Sequence, residues 1–209
     1  MNRLSAAVLA LSVVALPAQA ADPSGRFNVR GAGSLRCDAV AAAFTAKDAR
    51  SAQVMDWLMG YTTAWNRLNA GTFDALPGED GRDLAGLAFA LCRNNPSANL
   101  ETAAAAGLRL LAPLQATRDG ALVSFAVPAP APAKPGTAAA PAPRPIRLHP
   151  EAVRMVERKL KALGRYQAAE SGAASPALAT ALRAFQQAEK LAPTGLPDMP
   201  TLIRLMQAR

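Results

Sequence analysis

An all-α fold in two parts is predicted by three features of this 209-residue chain. Apolar residues recur at three- and four-residue spacing, capping residues stand ahead of those stretches, and one tract of proline and alanine interrupts them. The reading is of a small disulfide-linked helical domain, a Pro/Ala-rich linker and a three-helix bundle. Its boundaries are 1–20 for a leader, 21–126 for the first domain, 127–146 for the linker and 147–209 for the second domain.

Residues 1–20 read as a cleaved secretory signal peptide. Arg3 gives a positive start, Leu4 to Leu16 is continuously apolar or small, Pro17 breaks the run, and Ala18-Gln19-Ala20 places small residues before a cleavage point. A run of this length falls short of the ~20 apolar residues a permanent span needs. The expected location is therefore the periplasm, with no transmembrane segment after cleavage.

The first domain opens with Cys37, Val40 and Phe44 on one helical face. Val54, Trp57, Leu58, Tyr61, Trp65 and Leu68 continue the pattern over roughly 49–69. Two tryptophans and a tyrosine at that spacing suit a core stripe better than a sugar-stacking platform. Asp80 and Asp83 read as caps for a third helix running to Cys92, and Asn99 as the cap of a fourth containing Leu108 and Leu111. Pro77-Gly78 and Asn95-Pro96 punctuate the joins. Leu122–Val127 reads as a short strand or, better, as a tail folded back on the helices.

Cys37 and Cys92 are the only cysteines. Export to an oxidising compartment favours their pairing as a structural disulfide. Neither the Cys-x-x-Cys spacing of a redox motif nor a neighbouring histidine is present.

Residues 127–146 hold seven prolines and seven alanines in twenty positions, which cannot build a core. Such a tract is expected to be an extended spacer, able to hold the flanking domains up to ~60 Å apart at roughly 3 Å per residue. Charge divides at the same place. Residues 21–126 carry ten basic and ten acidic groups, whereas 127–209 carry twelve against five, so the excess of positive charge lies in the C-terminal part. That asymmetry points to an anionic partner.

Three cap signals divide the last domain. Pro150-Glu151 starts one helix, with Val153, Val156, Leu160 and Leu163 inside. Ser175-Pro176 starts another, with Leu178, Ala181, Leu182 and Phe185 inside. Asp198-Met-Pro-Thr201 starts the last, with Leu202 and Leu205 inside.

These residues resemble the peptidoglycan-binding domain 1 family. Leu160, Leu163, Gly164 and Tyr166 match its first segment. Gly172, Ala181, Leu182, Phe185 and Gln186 match the second; Gly195, Asp198, Thr201 and Leu205 match the third. Ser175 and Leu178 depart from the family's usual Gly and Thr. The resemblance implies a non-catalytic module that binds peptidoglycan. Arg165, Tyr166, Arg183, Gln186 and Gln187 are the side chains expected to remain exposed and to meet the wall's carboxylates and amides.

The first domain resembles the HdeA-like periplasmic family. The resemblance rests on Cys37 with Val40 and Phe44, on Asp56-Trp-Leu-Met-Gly-Tyr61 and on Leu91-Cys92-Arg-Asn-Asn-Pro96. It implies an acid-stress chaperone or another module that binds a periplasmic protein. Small immunity proteins of type VI secretion share a similar Gly-Tyr helix.

Catalysis is not expected. One histidine and two cysteines cannot furnish a zinc hydrolase site or a Cys/His nucleophile, and no phosphate-binding glycine motif occurs. Glu79 and Glu101 are candidate glycosidase carboxyls only by elimination. No cofactor or metal is implied. Nucleic acid is set aside as a partner because the chain is expected to be exported. The full sequence reading is a wall-binding protein that tethers an HdeA-like module. A periplasmic chaperone or immunity-type module and an accessory subunit of a peptidoglycan hydrolase are the alternatives.

Overall fold

A computed structural model describes residues 22, 24–46, 48–79, 81–127 and 144–208. The leader expected over 1–20 and the Asp80 cap lie outside the described residues. Helix dominates: α1 (Cys37–Ala46), α2 (Ala49–Leu68), α3 (Arg82–Asn94), α4 (Leu100–Leu111), α5 (Pro150–Ala162), α6 (Pro176–Ala188) and α7 (Met199–Gln207). Two short strands, β1 (Val123–Phe125) and β2 (Ile146–Leu148), form an antiparallel ribbon. The all-α expectation agrees with this architecture.

Local chemistry sets the helix starts. Asp48, Asn99, Ser175 and Asp198 each accept a hydrogen bond from a backbone N–H in the first turn of α2, α4, α6 and α7. The helix α3 begins instead after Gly81, without a side-chain cap. Helix α4 is the central element of the N-terminal part. Its alanines and Gly107 let α3 approach closely, and a Cβ at Gly107 would meet Leu87 at 3.2 Å. The Cys37–Cys92 disulfide forms and clips the start of α1 to α3.

On α2, Val54 and Leu58 are fully buried, whereas Trp57, Tyr61 and Trp65 are half-buried and follow one another along the helix. Trp57 stacks on Tyr61 at 4.9 Å and covers Gly33, where any side chain would collide with the indole. Trp57 Nε1 donates to the Arg30 carbonyl, and Tyr61 donates to Glu101 at 2.7 Å. Burial and the Glu101 carboxyl together push the Tyr61 phenol pKa well up. Leu68, expected inside, is 77% exposed at the end of α2.

The two parts share one continuous hydrophobic core, from Cys37 and Val40 through Leu108 and Leu114 to Val153, Leu182 and Leu205. Most of the expected linker, residues 128–143, lies outside the described residues. Phe125 pairs with Ile146, so the backbone enters and leaves residues 126–145 at one place. Within the 122–127 stretch, Val123–Phe125 form a strand because Ile146–Leu148, at the join between the expected linker and last domain, supply its partner.

Polar contacts line the seam. The His149 N–H donates to the Pro77 carbonyl at 2.8 Å, and Arg147 pairs with Glu79 at 2.6 Å. Glu151, in the first turn of α5, accepts from the Thr117 N–H at 2.6 Å and its hydroxyl at 2.8 Å. His149 is buried, with Nε2 3.4 Å from Asp74. A 60-residue bundle is marginal alone; here α5 and α7 complete their burial against the N-terminal helices.

Candidate functional site

The C-terminal bundle is built on one device used twice. Gly172 and Gly195 each adopt φ +70°, a left-handed conformation that favours glycine. Each is followed three residues later by a helix cap, Ser175 or Asp198. Each also donates its N–H to a buried side chain of the preceding helix: Gly172 to Glu157 and Gly195 to Gln186, both at 2.8 Å. A Cβ would stand 2.9 Å from the Pro150 carbonyl at Gly172 and 3.0 Å from the Ala179 carbonyl at Gly195.

This device decides the fate of two residues expected at the surface. Gln186 is completely buried. Its amide nitrogen lies 2.8–2.9 Å from Thr201 Oγ1, Thr194 Oγ1 and the Leu196 carbonyl, so its two hydrogens serve three acceptors. Tyr166 is 4% exposed, and its hydroxyl lies 3.2 Å from both Glu157 Oε1 and the Ala169 carbonyl. Burial, reinforced by the Glu157 carboxyl, raises the phenol's pKa. Both are therefore posts that hold the loops. The expectation that they stay exposed is corrected. Glu157, which also accepts from Ser171 at 3.0 Å, is the structural residue that sequence reasoning passed over. A lone glutamate among apolar helix positions was its only signal.

Arg165, Arg183 and Gln187 are exposed as expected. Neither guanidinium, that of Arg165 ahead of α6 or that of Arg183 on α6, has an ion pair with any described residue. By contrast, Arg158 pairs with Glu170 at 3.1 Å and Arg204 with Glu189 at 2.6 Å. Two grooves follow from the placement. One, of about 560 Å³, has Arg165 on one wall and Pro176, Ala177 and Thr180 of α6 on the other. The second, of about 300 Å³, runs between α6 with Arg183, the Thr194–Leu196 turn and residues Ser124 to Ala126 at the end of β1. Gln187 lines neither.

A third cleft, at the seam, is lined by Glu79, Arg147 and Asp198 among others. Among its charges Arg147 holds Glu79 and Asp198 caps α7. Glu79 and Glu101 have separate partners, Arg147 and Tyr61. No group of three or more His, Cys, Asp or Glu among the described residues could hold a metal ion, and no described helix is long and apolar enough to cross a membrane.

A cross-linked helical chain carrying a cation-flanked three-helix bundle is the class of protein that this geometry defines. Residues 149–205 match the family described as "Putative peptidoglycan binding domain". The match supports peptidoglycan binding by this region and suggests a cell-wall-associated place for the protein. No curated protein and no solved structure matches the chain. The resemblance of residues 21–126 to HdeA-like proteins finds no support in these comparisons.

Proposed function

We propose that the protein is an exported, non-catalytic component of the periplasm that binds peptidoglycan through its C-terminal bundle and presents α1–α4 at the wall. The family match over 149–205 carries the reading. Arg165 and Arg183, two cations without ion-pair partners among the described residues, are the proposed contacts to wall carboxylates, with exposed Gln187, one turn along α6 from Arg183, for amides. A shared core joins the two parts directly.

Retention of the full chain on purified sacculi tests the proposal. Binding should persist in salt that removes a helical control protein of equal net charge, because shaped recognition is screened less than bulk attraction. Equal loss of both would reject it.

For the N-terminal helices we propose a protein-binding role of the HdeA-like kind. Exposed Leu68 beside the half-buried Trp57–Tyr61–Trp65 row favours it. Client aggregation assays of the full chain between pH 2 and 7 test the role, and no protection at any pH would exclude chaperoning.

A further inference from the structure

We propose that the groove between β1 and α6 receives the peptide part of peptidoglycan, one extended residue pairing with the outer edge of β1 and a carboxylate meeting Arg183. The inference rests on the wall-binding reading above. It adds the portion of the polymer recognised and a wall of the site that lies outside the matched residues 149–205.

The edge can be deduced from the backbone. On β2, the Arg147 carbonyl points at Gly78, where a Cβ would collide with it, and the next-but-one N–H, of His149, donates to Pro77. Residues 147 and 149 therefore turn their polar groups away from β1. Alternation along a strand then directs those of Ile146 and Leu148 toward β1, where they pair with Phe125 and Val123. Ser124, opposite Arg147, is left with its N–H and C=O facing outward. Neither group has a partner among the described residues, and Ser124 is exposed and lines the groove. An open strand edge of this kind accepts an extended peptide by adding two main-chain hydrogen bonds.

The rest of the groove narrows the ligand. Arg183 is the one charged side chain in its lining, so the complement is anionic. Ala126, Ala174, Ala179 and Gly195 leave room for a backbone to come close. Recognition of a sugar strand commonly uses an exposed aromatic face, and the only ring here, Phe125, is buried in the core. A short carboxylate-bearing peptide fits these constraints. Only one of its residues must be extended, because only Ser124 offers an open pair. Irregular linkages on either side of that residue are therefore no obstacle.

The test uses the full chain and three probes: intact sacculi, a synthetic stem tetrapeptide, and glycan strands stripped of peptide. The tetrapeptide should displace the protein from sacculi and the stripped glycan should not. Arg183→Gln should weaken tetrapeptide binding by roughly ten-fold or more, the range of a charge-assisted pair. Proline is tolerated where a strand N–H faces outward, so Ser124→Pro should fold and bind several-fold more weakly. Amide exchange in the wild type gives a second readout, with the Ser124 N–H becoming protected when tetrapeptide is added. Displacement by stripped glycan alone, unchanged binding by folded Arg183→Gln, or an unprotected Ser124 amide would each overturn the inference while leaving wall binding intact. A wild type that sacculi do not retain would remove both.

Discussion

Gln186 separates a structural reading of the bundle from a ligand-contact reading, and Gln186→Ala tests it. The substitution removes the acceptor for the Gly195 N–H and the donor to the Leu196 carbonyl, and the site is fully buried. Leaving a buried N–H without a partner costs about 1–3 kcal/mol, and the carbonyl adds to that. Thr194 and Thr201 suffer less, since both hydroxyls also reach Asp198, at 3.2 and 2.5 Å. With the space left by the missing side chain, the total comes to about 3–5 kcal/mol. Gln187→Ala, one residue along and exposed, should stay within ~0.5 kcal/mol.

Urea unfolding followed by circular dichroism, with the disulfide intact, measures the difference. At a slope of about 1–3 kcal/mol/M, the midpoint of Gln186→Ala should fall by more than ~1 M and that of Gln187→Ala should hardly move. One cooperative transition is expected, because α5–α7 and α1–α4 share a core. A Gln186→Ala protein with an unchanged midpoint and weakened sacculus binding would refute the reasoning and return Gln186 to the ligand surface.

Gly172→Ala and Gly195→Ala should each destabilise by at least ~1–2 kcal/mol in the same assay, since a Cβ is disfavoured at positive φ and meets a backbone carbonyl at both sites. Gly60→Ala, in the open interior of α2, should instead stabilise by ~0.5–1 kcal/mol. Replacing Cys37 and Cys92 together by serine should cost about 4 kcal/mol by the chain-entropy model, given the 55-residue separation they bridge. Finally, the Thr117 N–H holds the Glu151 carboxyl below its ordinary pKa of 4.5. A lowered folded value means that its contribution is complete above the unfolded pKa and is lost as pH falls through the folded one. Glu151→Gln should therefore trail the wild type in urea midpoint at pH 6–7, with the gap closing below pH 4.5; a gap independent of pH would contradict that coupling.

Caps and apolar periodicity made the helices legible because both are local. Asn99, Ser175 and Asp198 act within one turn of themselves, and Leu178, Leu182 and Phe185 repeat on one face whatever lies opposite. Exposure of polar residues was not legible by the same means. Arg183, Gln186 and Gln187 stand within five positions on one helix, yet one is a buried post and two are at the surface. The difference is set by Gly195, nine residues away, whose N–H needs an acceptor at that height of α6. A polar side chain on the apolar face, spaced to meet a later Gly-x-x-Asp turn, was the available signal.

The relation of the two parts was hidden by composition. Seven prolines rule out a packed interior for 127–146 but say nothing of where its ends lie. The ends are fixed by residues just beyond it: Phe125 and Leu148 point into the core while Ser124 and Arg147 point out, an alternation only three residues long on each side. Such brief strands carry almost no periodic signal and exist only as each other's partners. Their pairing has a consequence for function that a flexible spacer would not. With β1 bonded to β2, and Glu151 holding Thr117, the N-terminal part supplies a wall to a groove of the C-terminal bundle. An occupant of that groove would touch both parts at once, so binding at the wall and the stability of α1–α4 should be coupled through the seam.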